Sequence, residues 1–106
     1  VQVNGKLRAK VTLPRDAKSV LDDLADVAVD PVSGLILLLS EESRRIAVMH
    51  LSHDGLRLMQ SHDLPLEEGE RPEGLAFLSA SRLAVVTDGP ARLLTFRVTR
   101  RAAARV

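Results

Sequence analysis

Apolar positions in this chain gather into short runs that begin and end on turn residues. The clearest is LILLL at residues 35–39, held between Gly34 and the polar Ser40-Glu41-Glu42-Ser43. An apolar run of this length without alternation predicts a strand covered on both faces, being too short for a buried helix. Strands are predicted on the same grounds at residues 25–29, 45–51 and 56–62, separated by Asp30-Pro31-Val32-Ser33-Gly34 and His53-Asp54-Gly55. The run at 56–62 is the most polar of the four, with Arg57, Gln60, Ser61 and His62. After a polar, acidic connector at 64–72, strands are predicted at 74–78, 82–87 and 92–98. Residues 1–13 read as a hairpin turning at Asn4-Gly5, with Lys6, Arg8, Lys10 and Thr12 alternating against Leu7, Ala9, Val11 and Leu13 as in an outer strand. Pro14 should end that strand. Residues 15–23 predict a loop with one helical turn, capped by Asp16.

The pattern repeats. Residues 24–51 and 74–98 align with Ser40-Glu41 on Thr87-Asp88, Arg45 on Arg92 and Ile46 on Leu93, an offset of 47 (88 − 41). A partial third copy opens the chain, where residues 1–14 match 47–65 with Gly5 on Gly55 and Leu13-Pro14 on Leu64-Pro65. Self-similarity at this spacing marks a repeat architecture. The expected fold is all-β: antiparallel four-stranded blades of a β-propeller, about two blades plus a partial one. The division expected is a partial blade at 1–14, a blade at 15–65, an incomplete blade at 66–98 and a solvated basic tail at 99–106. So few blades leave their lateral faces open, so further blades are expected from the same chain or from copies joined in a ring.

Composition narrows the functional classes. The charge is balanced, 15 Lys and Arg against 14 Asp and Glu, which gives no long-range pull on nucleic acid. With Phe77 and Phe96 as the only aromatic residues, a stacking platform for sugars or unpaired bases is hard to build. The chain has no cysteine, hence no thiolate chemistry. No apolar run is long enough for a membrane-spanning helix, and the N-terminus lacks the charged-then-apolar pattern of a signal peptide. Neither a G-x-S-x-G elbow nor a glycine-rich phosphate loop is present.

Two segments carry a family resemblance. DLADVAVDPVSGLILLLSEESRRIAVMHLSHDG and PEGLAFLSASRLAVVTDGPARLLTF resemble blades of the SdiA-regulated family of bacterial β-propellers over residues 23–98. Shared features are a D-x-x-D-x-x-x-D-P-x-x-G turn, an L-S-x-E-S-R-R corner and a segment similar to E-G-I-A. The resemblance implies calcium binding and a periplasmic or membrane-anchored location. Two departures weigh against calcium: Phe77-Leu78 stands where the family tends to carry an acid, and Thr87-Asp88-Gly89-Pro90 replaces an S-E-P corner. A rival resemblance, limited to residues 1–14, is to a C-terminal hairpin of leucyl-tRNA synthetases.

Within this frame Glu73 and Asp26, at the openings of the innermost strands, are the candidate metal ligands, with calcium the candidate cofactor. The plainer role for Glu73 is capping backbone amides at a blade junction. Glu41, Glu42 and Asp88 occupy corresponding corners and are candidate binding residues, with structural bonding to turn amides as the alternative; Arg44, Arg45 and Arg92 are expected to pair with them. His50, His53 and His62 are spaced against a zinc site. The reading that follows is a ligand- or partner-binding propeller segment taking an unknown small ligand or protein. Its alternatives are a metal-assisted hydrolase of the phytase- or lactonase-like propeller class and a purely structural, self-assembling two-blade unit.

Overall fold

The computed structural model describes residues 10–100. The first sheet has the order β1 (Asp26–Val29), β2 (Ile36–Ser40), β3 (Arg45–Ser52) and β4 (Gly55–Asp63), every pair antiparallel. A second sheet holds β5 (Arg71–Ser79), β6 (Arg82–Asp88) and β7 (Arg92–Arg97), also antiparallel. Apart from the short helix α1 (Arg15–Val20), the regular structure is β. The fold class is therefore all-β, as the apolar runs predict. Tight reversals fall at the expected turns, and those at Gly34 (φ 74°) and Gly55 (φ 119°) use backbone conformations that a Cβ would strain.

The run at 35–39 shows how the layers are built. Leu37 and Leu39 point to one side and join Ile46, Leu75, Leu83 and Val85 in a core between the sheets. Leu38 points to the other side and packs with Ala17, Leu21, Ala47 and Met49 under α1. Successive strand residues alternate sides, so a strand without polar residues needs cover on both. Here the second sheet supplies one cover and the helix the other.

The internal repeat survives as orientation. Val85 faces the first sheet, so Val86 and its cross-strand partner Leu93 lie on the far face of the second. Ile46, the counterpart of Leu93, likewise faces away from α1 and is 5% exposed beneath the second sheet. Leu93 is 61% exposed, because no third sheet lies over it among the described residues.

Three local expectations need correction. Pro14 does not close a strand: residues 10–14 carry none, and Pro14 stands at the N-cap of α1, since its fixed φ suits a helix start. Asp16 does not cap the helix from outside; its carboxylate accepts the N–H of Ala17 within the first turn. The tail is not wholly solvated, because Arg100 reaches back to bind Asp30. The hairpin at Asn4-Gly5 lies outside the described residues.

Candidate functional site

The two sheets are aligned so that equivalent turns share an end. Leu75 N–H donates to Asp26 near the start of β1, and Arg100 joins Asp30 to the Ala80 carbonyl beyond the far ends of β1 and β5. β1 and β5 therefore run in the same direction. One end consequently gathers the β2–β3 turn with Glu41 and Glu42, the β4–β5 connector, the start of β5 with Glu73, and the β6–β7 turn after Asp88. Glu73 and Asp26, expected at the openings of the innermost strands, and Glu41, Glu42 and Asp88, expected at corresponding corners, all fall at this end of the strands.

Most carboxylates here are already engaged. Asp26 accepts the Val27 N–H through Oδ1 at 2.8 Å and the Leu75 N–H through Oδ2 at 2.7 Å, so it fastens one sheet to the other. Glu73 sits on a β-bulge where the β5–β6 register shifts between Pro72 and Gly74. Its Oε1 lies 3.9 Å from Arg71 Nε, and Arg71 also binds Asp88 at 3.1 Å. Asp88 accepts the Gly89 N–H as well, the turn bond expected for it. Glu42 contributes its backbone N–H to Asp23, while the carboxylates of Glu41 and Glu42 make no ion pair or hydrogen bond among the described residues.

This geometry does not fit calcium at Asp26 and Glu73. A hard cation of that size takes six to eight oxygens. Each oxygen of Asp26 already accepts an amide N–H, Glu73 lies beside a guanidinium, and no three His, Asp or Glu side chains converge among the described residues. The histidines are dispersed: His50 pairs across the ladder with Arg57, His53 lies in the β3–β4 turn, and His62 pairs with Ile46.

Sequence reasoning missed the strongest polar feature. Glu70 is fully buried and takes Arg92 on both oxygens, with Nε at 2.7 Å. It also accepts the Thr87 hydroxyl and the Glu67 N–H. The Arg92 guanidinium is the main reason its carboxyl is held at about 2, overcoming the upward push of burial. Arg92 is raised in return, chiefly by the same bond. Arg92 thus serves Glu70 rather than the corner acids, Arg45 pairs with Asp63, and Arg44 donates to the Glu67 carbonyl. The first sheet has a matching contact: Asp23 accepts the Ser40 hydroxyl, and Asp23 and Ser40 precede Glu70 and Thr87 by the repeat offset. The repeat offset is the sequence signal that points to this pair, and it was not applied to Glu70. At the opposite end Arg100, on both oxygens of Asp30, holds that carboxyl well below the usual range, with the Val32 amide and Ser33 adding to it.

Comparison with known proteins decides the family. The SdiA-regulated family model matches residues 2–97. The chain belongs to the SdiA-regulated family. Its match takes in the opening residues as well as both sheets, and the segments at 39–45 and 72–76 that carry the resemblance form the β2–β3 corner and the bulged start of β5. No curated protein and no solved structure matches the chain. In this SdiA-regulated chain no described helix is long and apolar enough to cross a membrane.

Proposed function

We propose that this SdiA-regulated chain is a ligand- or partner-binding propeller segment that presents a small acidic surface at the β2–β3 end. The reading is carried by one contrast. At that end Asp23, Asp26, Asp63, Glu70 and Asp88 each accept a hydrogen bond from the scaffold, and Glu73 lies 3.9 Å from Arg71. The Asp22 and Glu68 side chains have no partner among the described residues, but Glu41 and Glu42 are adjacent and both without one, in a turn that is itself fastened. The turn is held by the Ser40 hydroxyl on the Ser43 N–H and by Asp23 on the Glu42 N–H. Two adjacent carboxylates on a fixed corner favour a cationic ligand or a basic segment of a partner protein. Hydrolysis assisted by metals would need a converging carboxylate set, so the binding reading is preferred.

Titration calorimetry at low salt with a tetralysine peptide tests it. Binding to the unaltered chain, lost in Glu41→Gln/Glu42→Gln and kept in Glu73→Gln, is the expected result. No heat of binding, or equal binding by the double variant, would overturn it.

A further inference from the structure

A balanced total charge hides a separation between the two ends of the strands. All but Asp16, Asp30 and Asp54 of the 14 Asp and Glu residues stand at the β2–β3 end, on its turns, its connectors or the strand ends that meet them. The cations beside them are Arg44, Arg45, Arg71 and Arg92. The opposite end, which carries the β1–β2, β3–β4 and β5–β6 turns and the close of β7, reverses the balance. Arg82 and Arg97 lie there directly opposite each other, Arg57 pairs with His50 near the β3–β4 turn, and Lys10 borders that turn. All four cations are exposed, and none has a carboxylate partner among the described residues.

The acids at this end are already taken. Arg100 binds both oxygens of Asp30, and Asp54 lies 3.3 Å from His53. Residues 1–9 and 101–106 contain no Asp or Glu, and their charged side chains are Lys6, Arg8, Arg101 and Arg105. Like charges directly opposite each other, as Arg82 and Arg97 are, destabilise a sheet unless something neutralises them. Apolar side chains stand among these cations. Val32, on the β1–β2 turn, is 62% exposed, and Leu78, beside the β5–β6 turn, is 57% exposed.

This distribution selects among anionic partners. A small anion needs donors that converge, whereas these cations are spread over both sheets. Single-stranded nucleic acid needs aromatic faces to stack on, and Phe77 and Phe96 are packed against the core. A wide anionic plane suits the arrangement better: it attracts one end of the chain, repels the other and so fixes the orientation of a molecule with little net charge. We infer that the basic end is a docking surface for a bilayer containing anionic phospholipid. Val32 lies at headgroup level in that contact and the acidic end faces the water. The contact uses none of the residues of the acidic corner, so failure to bind vesicles leaves the tetralysine reading standing, and the reverse holds too.

Co-sedimentation with large vesicles at low salt is the test, with circular dichroism to confirm that each variant is folded. The unaltered chain is expected to pellet with vesicles of equal parts phosphatidylcholine and phosphatidylglycerol and to stay in solution with phosphatidylcholine alone. Raising the salt should release it, since such attraction fades within a Debye length. Arg82→Gln/Arg97→Gln should weaken the partition by about 30-fold, each cation near the surface being worth about fivefold. Lys18→Gln, on α1, should change it little. With spin-labelled lipid the amide signals of Val32 and Ala80 should broaden while that of Glu41 stays sharp. No pelleting with the anionic vesicles, equal pelleting with the neutral ones, or a folded double variant that binds as well as the unaltered chain would each overturn the inference. So would broadening at Glu41 in place of Val32. Binding to a polyglutamate peptide with none to vesicles would overturn it in favour of an acidic protein partner.

Discussion

Glu70 concentrates the polar energetics of the second sheet in one side chain. It is buried, and its carboxylate is saturated by Arg92, Thr87 and the Glu67 amide. Its folded value of about 2 lies below the ordinary 4.5. Between those values the unfolded chain binds more protons than the folded one, so stability rises with pH across that window. The contribution is complete above pH 4.5 and is lost as pH falls towards 2. Asp30 is depressed as well and acts with the same sign. Glu70→Gln is therefore expected to lower the melting midpoint at pH 7 and to flatten, without abolishing, its fall in acid; midpoints measured from pH 2 to 7 check both. An unchanged acid slope would show that the pair with Arg92 does not form. Asp26→Ala removes the acceptor for Leu75 N–H between the sheets. It should cost about 1–3 kcal/mol in urea unfolding, the usual penalty for stranding a donor.

At the scale of elements, the alternation inside β2 ties sequence to packing. Leu39 is fully buried in the core between the sheets, so Leu39→Ala should cost about 2–5 kcal/mol by denaturant unfolding. Arg100→Ala should lower the denaturant midpoint, since it leaves the buried Asp30 carboxylate without its main partner. All seven strands were legible in the sequence because turn residues bound them, most being short apolar runs. β4 is largely polar and was placed by its turns, and β5 starts at Arg71, inside the segment expected to be a connector. The partners of the polar groups were less legible. Arg92 aligns with Arg45, yet β4 offers Asp63 to Arg45 and the second sheet has no fourth described strand to do the same, so Arg92 turns to Glu70. Asp26 read as a candidate metal ligand because its position gave the end of the strand but not its bond to the Leu75 N–H of the second sheet. The β-bulge at Glu73 had no sequence mark beyond the Pro72-Glu73-Gly74 run itself. Arg100 was hidden in a basic tail whose composition suggests solvation.

For the whole molecule, two described sheets stacked face to face make a stable joint between them; α1 covers much of the first sheet's outer face, while the far face of the second is open among the described residues. Of the acids at the β2–β3 end, Asp26 serves this joint, while Glu70, Asp88 and Asp63 bind arginines within their own sheet. Millimolar calcium is accordingly expected to leave the melting midpoint where it was, and a rise of several degrees would reveal a carboxylate cage. The central claim is that successive residues of one apolar run are buried against different layers. Methyl nuclear Overhauser spectra measure that directly. Leu37 and Leu39 should show contacts with Leu75, Leu83 and Val85, while Leu38 shows them with Ala17, Leu21 and Met49. If all three leucines shared one set of neighbours, or none touched the second sheet, the stacked-blade architecture would be wrong.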